Sequence, residues 1–316
     1  MSNDTSIYKR IIAIEMEKPN FNLSWIINNI CTNHCAYCPE ILHRGKNHHY
    51  SWEDAERFAD EMIRLHPKMK VTISGGEPTV SPWFKPLVNK FLSAGHWVGV
   101  SSNGVRAGSY WEDCRPTYLR LSYHPHSHDE GWVDRALEAW KRVPDTIVRI
   151  MMPPDRWEQC MVIYDQLKET GIGIDVVRIQ DWGAETYKYT KIQDQFFADT
   201  PSTGSTTMPP GGTPNFKSHA YVQDQSTPLE PNWPVLVVNT ENNRWRGWEC
   251  DIGKDSLFLQ FDGKIRKANC EQDGWFASIQ DPTTWTWPTT STVCEQTECQ
   301  CITDVRMSKR RRTPVN

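Results

Sequence analysis

Leu23-Ser-Trp-Ile-Ile-Asn-Asn-Ile30 runs directly into Cys31-Thr-Asn-His-Cys35-Ala-Tyr-Cys38. The first half, continued back to Phe21, reads as a buried strand. The second half places three cysteines at C-x3-C-x2-C on the loop that follows. Thiolates are soft ligands suited to iron–sulfur clusters and zinc. A four-iron cluster fully ligated by protein takes four thiolates, so three of them within eight residues leave one iron without a nearby protein ligand. An open coordination position is where a metal centre does chemistry rather than only holding structure. Tyr37, just before the last cysteine, can shield such a centre from water. On spacing alone, a structural zinc or a redox thiol loop is the alternative.

The chain has 316 residues, ten cysteines and a formal charge of −4. That length suits one large domain plus a smaller one. No apolar run approaches the roughly 18 residues needed to span a bilayer. Met1 to Arg10 is polar and lacks a signal-peptide core, so a cytoplasmic protein is expected. Cysteines in that compartment are usually metal ligands or reactive thiols. Eight of the ten fall into two groups, residues 31–38 and 250–301, which favours metal. The fifteen tryptophans decide nothing, because tryptophan fills cores as readily as it stacks on bases.

Outward from the cysteine loop, strand and helix signals alternate. Residues 6–16 form a weak first strand. Ser51-Trp-Glu-Asp54 reads as a capping box, and Ala55, Phe58, Met62 and Leu65 follow helical spacing. Strands are expected at 70–74, 97–101, 118–123, 146–152 and 174–180, with helices at 83–94, 132–142 and 155–170. Such alternation argues an α/β fold with a parallel sheet, and the count fits a partial (β/α)6 TIM-like barrel over residues 1–182. Barrel chemistry sits at the C-terminal strand ends. The cysteine loop, Gly75-Gly76-Glu77-Pro78, Ser102-Asn103-Gly104 and His124-Pro125-His126 all fall there.

The loop Cys31 to Cys38, C-x3-C-x-aromatic-C, followed by Gly75-Gly76-Glu77-Pro78 after the next strand, resembles the radical S-adenosylmethionine (radical SAM) enzymes. The resemblance implies that Cys31, Cys35 and Cys38 hold a catalytic 4Fe–4S cluster. SAM would occupy the fourth iron and be cleaved reductively to a 5′-deoxyadenosyl radical. A one-electron donor of flavodoxin or ferredoxin type is then a partner. By the same resemblance, Gly75 to Pro78 bind the methionine amino group, and Ser102 and Asn103 contact the ribose. Ser122 is a candidate polar contact to SAM, and Arg149 a partner for its carboxylate, since arginine forks match carboxylates. Val177 and Ile179 line the adenine or simply pack the core. His124 is a candidate for substrate contact. His124, His126 and His128 read more readily as a polar loop than as a metal site. Cys160 reads as core, and Cys114 as incidental.

Residues 183–234 carry little apolar periodicity. Thr200 to Pro214 has a composition that cannot bury a core, so the stretch reads as a linker or lid. Beyond it, Asp262-Gly263 between apolar alternating runs is a hairpin signal. Cys250 and Cys270 flank that hairpin, and Cys294, Cys299 and Cys301 follow. Five thiols here, in a unit spanning 235–306, read as a second metal site. They resemble the SPASM extension of radical SAM enzymes, or its shorter twitch form. That resemblance implies an auxiliary 4Fe–4S cluster, with zinc the alternative. The expected ligands are Cys250, Cys270, Cys299 and Cys301, with Cys294 the fifth thiol. Residues 307–316 read as a basic tail, with Lys309 to Arg312 solvated or meeting phosphates.

The expected activity is reductive cleavage of SAM and removal of a hydrogen from a substrate, leading to rearrangement, coupling or oxidation. A ribosomal peptide is one substrate class, by likeness to SPASM enzymes. A nucleotide is the other, including a substituted thymidine in DNA as in phage radical SAM proteins. A non-catalytic iron–sulfur or zinc scaffold is the reading from another class.

Overall fold

The structure is a computed structural model and describes residues 10–16, 21–127, 129–179, 187–200, 218–223, 229, 233–239, 241–299 and 301–312. In chain order its elements begin with β1 (Ile11–Met16), β2 (Phe21–Ile26), α1 (Trp52–Leu65), β3 (Met69–Ser74), α2 (Phe84–Ser93) and β4 (Trp97–Ser102). Then follow β5 (Tyr118–Tyr123), α3 (Trp132–Arg142), β6 (Thr146–Met152), α4 (Trp157–Lys168), β7 (Gly173–Arg178), α5 (Lys191–Asp199), β8 (Ser218–Val222) and α6 (Trp233–Asn239). The chain continues through β9 (Glu249–Cys250), β10 (Ser256–Leu259), β11 (Lys264–Arg266), β12 (Trp275–Ser278), β13 (Thr292–Val293), α7 (Ile302–Val305) and β14 (Lys309–Arg310).

Strands β2 to β7 lie side by side in chain order and pair in parallel. This is the expected α/β partial barrel. Among the described residues the sheet ends at β7 and β12 and does not close on itself. Residue alternation gives the sheet two unlike faces. Leu23, Trp25, Val71, Ile73, Val98, Val100, Leu119, Leu121, Val148 and Ile150 point to one face and form the buried core with the helices. Their neighbours, such as Ser24, Thr72, Ser101 and Ser122, face the concave inner side and are polar. Helix α1 starts on the predicted capping box: Asp54 N–H donates to Ser51 Oγ at 3.2 Å, and the Asp54 carboxylate accepts from Ser51 N–H. One crossover lacks an α-helix: β4 and β5 are joined through the 3₁₀ turn Gly108–Trp111.

The Asp262-Gly263 hairpin forms, with Gly263 at φ +85°, and it is joined to the barrel. Strand β10 pairs parallel to β2, from Ser256↔Asn22 to Leu259↔Trp25, and the hairpin and β12 extend the barrel sheet. Ser256 to Leu259 are all buried, which matches a strand covered on both faces, and the pairing satisfies the open edge of β2. The segment 183–234, read as a linker or lid, carries secondary structure among its described residues. Thr190 and Gln193 cap α5, whose Phe196 and Phe197 pack edge-on against Trp157. Strand β8 pairs antiparallel with β1. Residues 201–214 of the Ser/Thr/Gly/Pro stretch lie outside the described residues.

The expectation of a solvated basic terminus is corrected. Met307 and Lys309 are buried, and β14 pairs with both β1 and β9 in a second sheet, ordered β13-β9-β14-β1-β8. Arg310 binds the Glu249 carboxylate at 2.8 Å, and Arg311 lies over the Trp248 ring at 5.3 Å. Lys309 is therefore buried, Arg310 and Arg311 make surface contacts within the protein, and residues 313–316 lie outside the described residues. Among the described residues, no helix is long and apolar enough to cross a membrane.

Candidate active site

Strand β2 delivers the cysteine loop to the C-terminal edge of the parallel sheet. Two backbone bonds hold the loop's base: Gly76 N–H donates to Asn28 O at 2.9 Å, and Glu77 N–H to Ile30 O at 2.7 Å. This approach explains the paired glycines. A Cβ on Gly75 would stand 2.7 Å from Asn28 O, and one on Gly76 would overlap the Ile30 carbonyl. The Asn28 side chain completes the seam, donating to Glu77 O at 3.1 Å and Ser81 Oγ at 2.9 Å while accepting from Ile30 N–H. Asn28 was missed in the sequence. The only signal was a polar Asn28-Asn29 pair inside a run read as apolar.

Glu77 is fully buried. Its Oε1 accepts from Thr79 N–H at 3.0 Å, Thr79 Oγ1 at 2.7 Å and Ser102 Oγ at 3.0 Å. Its Oε2 accepts from Asn103 N–H at 2.6 Å. Burial pushes the carboxyl pKa up, and these donors oppose that shift. The Asn103 amide then reaches back, donating to Thr32 Oγ1 at 2.9 Å and lying 3.8 Å from Cys31 Sγ. Three strand-end motifs thus form one connected network, as the sequence placed them. Pro78 opens the 3₁₀ turn behind Glu77.

Cys35 is buried, while Cys31 and Cys38 are half-buried. Asn33 N–H donates to Cys31 Sγ at 3.3 Å. Burial raises the pKa of all three thiols, Cys38 to about 11, and Cys31 and Cys35 raise that of Cys38 further. Three mutually repelling thiolates suit a cationic metal that would offset them. Among the described residues, no three such ligands are drawn to a common point at metal-bonding distance. The fit therefore rests on shared loop, shared burial and mutual charge.

Tyr37 does not merely cover the loop. Its hydroxyl lies 2.8 Å from His124 Nδ1, and the rings stack at 6.0 Å. Burial lowers the His124 pKa to about 4, so the ring is neutral and Nδ1 can accept a hydrogen bond from the Tyr37 hydroxyl. His126 sits 4.0 Å from Asp155, and His128 lies outside the described residues. Ser122 is half-buried on the inner face. Arg149, the candidate partner for the SAM carboxylate, binds Asp175 Oδ2 through Nε at 2.8 Å and Nη2 at 2.7 Å, and the two residues are register partners on β6 and β7. Ile179 N–H donates to Tyr189 Oη at 2.9 Å, and Val177 is half-buried. Cys114 and Cys160 are wholly buried, the latter donating to Met151 O at 3.4 Å.

A second thiol group surrounds one cavity. Cys250, Cys270, Cys294 and Cys299 line it with Asp304 and Lys309. Burial raises the thiols of Cys270 (to about 11), Cys294 and Cys299, and Cys250 adds to each shift. Cys301 is not in the lining. Its sulfur accepts from Asn269 Nδ2 at 3.1 Å, whereas Cys294 lies in the lining. The Lys309 ammonium is buried beside these thiols. It donates to the Val305 and Met307 carbonyls at 3.3 and 3.2 Å, and also to Asp304 O. A buried cation near thiol groups favours their charged form. The donor set, four thiols and one cation, fits a cluster of net negative charge.

Comparison with known proteins agrees with this geometry. The Radical SAM superfamily profile matches residues 25–179. The chain is 23% identical over 169 residues to the 7-carboxy-7-deazaguanine synthase of Haemophilus influenzae, covering 48% of this chain and 72% of that protein. Among solved structures it resembles anSMEcpe with bound AdoMet (TM-score 0.52, 15% identity, 84% of this chain and 79% of that one). It also resembles Streptococcus suis SuiB bound to S-adenosylmethionine (TM-score 0.50, 12% identity, 84% and 64%). At such identities the two structures show a shared fold.

Proposed function

We propose, from the match of residues 25–179 to the Radical SAM superfamily profile, that this chain is a radical SAM enzyme acting on a substrate held against the inner face of its sheet. When bound, the 4Fe–4S cluster and SAM supply a 5′-deoxyadenosyl radical that takes a hydrogen atom from an unactivated substrate carbon. The residues of the chain supply the setting. Cys31, Cys35 and Cys38 would hold the cluster. Asn33 N–H and the Asn103 amide offer donors to the Cys31 sulfur, and such contacts tune a metal site. The Tyr37–His124 contact closes the loop against β5 and keeps water away from Cys35. Glu77 fixes the Ser102-Asn103 backbone, so that Gly75 to Pro78 and Ser102-Asn103 can meet SAM in one fixed geometry.

The carrying observation is the unbroken chain of bonds from Cys31 through Asn103 to Glu77, at the C-terminal edge of a parallel sheet. Cys250, Cys270, Cys294 and Cys299 would hold an auxiliary cluster. The substrate is a peptide or a nucleotide, and the electron comes from a flavodoxin- or ferredoxin-type donor. The test is anaerobic reconstitution with iron and sulfide, then SAM and dithionite. 5′-Deoxyadenosine should form with the full chain and not with Cys35→Ala. Iron-loaded protein that yields none, with a spectrum indifferent to SAM, would sink the reading.

A further inference from the structure

Lys309 is a buried lysine whose place is fixed by the second sheet. Strand β14 lies between β1 and β9, so Lys309 stands opposite Ile14 on one side and Cys250 on the other. Residues opposite one another in an antiparallel pair project to the same face, with Cβ atoms about 5 Å apart. Lys309 therefore rises from the sheet next to Cys250. Both line the cavity that also holds Cys270, Cys294, Cys299 and Asp304.

The ammonium is held firmly, but its charge is not cancelled. It donates to Val305 O at 3.3 Å, Met307 O at 3.2 Å and Asp304 O. The buried Trp245 ring covers it at 5.1 Å. Among the described residues, no carboxylate forms an ion pair with it. Asp304, the carboxylate in the cavity lining, is engaged by the backbone: Oδ1 accepts from Asn269 N–H at 3.3 Å and Oδ2 from Cys270 N–H at 2.7 Å. Carbonyl dipoles orient a cation without neutralising it. A charge enclosed without an opposite charge is costly, and an apolar residue of similar volume is often the more stable choice. An anionic occupant of the cavity turns that cost into attraction.

We infer that Lys309 is the built-in counter-cation of the thiol cavity and sets the reduction potential of the metal centre held there. The inference rests on the auxiliary-cluster reading of Cys250, Cys270, Cys294 and Cys299. Four thiolates make such a centre anionic. Taking up one electron, from the flavodoxin- or ferredoxin-type donor, makes it more anionic, with no bond formed or broken. A fixed buried cation favours the reduced state, so the potential lies higher than the thiolates alone would set it. Lys309 acts through the centre and not on the substrate, so it is a positioning residue: β14 and the three carbonyls place its charge.

The test uses the full chain carrying Cys31→Ala, Cys35→Ala and Cys38→Ala together, reconstituted anaerobically with iron and sulfide, so that its iron belongs to the second site. A redox titration followed by electron paramagnetic resonance gives the midpoint potential. At that potential, adding Lys309→Met or Lys309→Gln should raise the ratio of oxidised to reduced centre roughly tenfold or more, a fall of about 59 mV for a one-electron couple. Glutamine keeps a donor for the carbonyls but has no charge, so agreement between the two variants assigns the shift to charge. Arg311→Met, an exposed cation two residues on, should leave the ratio unmoved. A Lys309 variant that folds, by far-UV circular dichroism, yet takes up no iron also supports the inference, because the anionic centre then fails without its cation. Iron-loaded Lys309→Met and Lys309→Gln with the unaltered potential, an equal shift in Arg311→Met, or loss of the fold in both lysine variants overturns it. Zinc, or no metal, in the triple-alanine chain overturns the auxiliary-cluster reading as well, whereas iron with an unmoved potential overturns the role of Lys309 alone.

Discussion

The Glu77 carboxylate at the end of β3 accepts the backbone N–H of Asn103 at the end of β4, at 2.6 Å. One side chain thereby fixes the distance between two loops that are separate in sequence. The same asparagine touches Thr32 in the cysteine loop. Glu77 has no exposed surface, so its first task is to hold these loops together.

Glu77→Gln tests that role. The amide keeps the shape but turns an NH2 group toward backbone and hydroxyl donors, leaving at least one buried donor unmatched. The expected loss is about 2–3 kcal/mol, the range for hydrogen bonds to a charged group. Urea unfolding measures it, and SAM binding should weaken in parallel. A loss below about 0.5 kcal/mol, the range of a neutral surface change, would contradict the assignment.

The second thiol site predicts unequal cysteines. Iron bound per chain after reconstitution should fall in Cys250→Ala and in Cys294→Ala, since both line the cavity. Cys301→Ala should keep its iron, because that sulfur accepts from Asn269 instead. Full iron in Cys294→Ala with a loss in Cys301→Ala would return the fourth position to Cys301.

Lys70 gives a pH signature. Burial and the nearby Arg306 and Arg120 charges lower its pKa from the ordinary 10.5 to about 7. Between pH 7 and 10.5 the unfolded chain binds the proton that the folded chain has released, so this lysine makes stability rise with pH in that window. Below pH 7 both states are charged and the penalty is complete. Lys70→Met removes it, so the variant's gain in Tm over wild type should be largest below pH 7 and shrink as pH approaches 10.5. A gain independent of pH would show that Lys70 is an ordinary charged lysine.

Much of the fold was legible because it is written in local patterns. Strand and helix alternate with their proper periods from Phe21 to Arg178, and Ser51 announces α1. The Asp262-Gly263 turn was equally plain. Its placement was not: the pairing of β10 with β2 joins residues more than 230 positions apart, and no periodicity encodes which edge a strand will join. The terminal Lys309 looked solvated for the same reason. Its burial depends on Trp245, Asp304 and the thiols around it, which only meet when the sheets assemble.

By itself, the sequence determined which groups meet at the candidate centre. Three cysteines on one short loop, and two glycines and a glutamate after the next strand, are fixed by covalent spacing, and the parallel sheet brings both to one edge. Tertiary structure decided which groups are left for chemistry. It paired Arg149 with Asp175, set Cys294 rather than Cys301 in the lining of the thiol cavity, and buried Lys309 beside those thiols. Electrostatic pairing and burial depend on distances across strands and sheets, and those distances do not exist until the chain has folded.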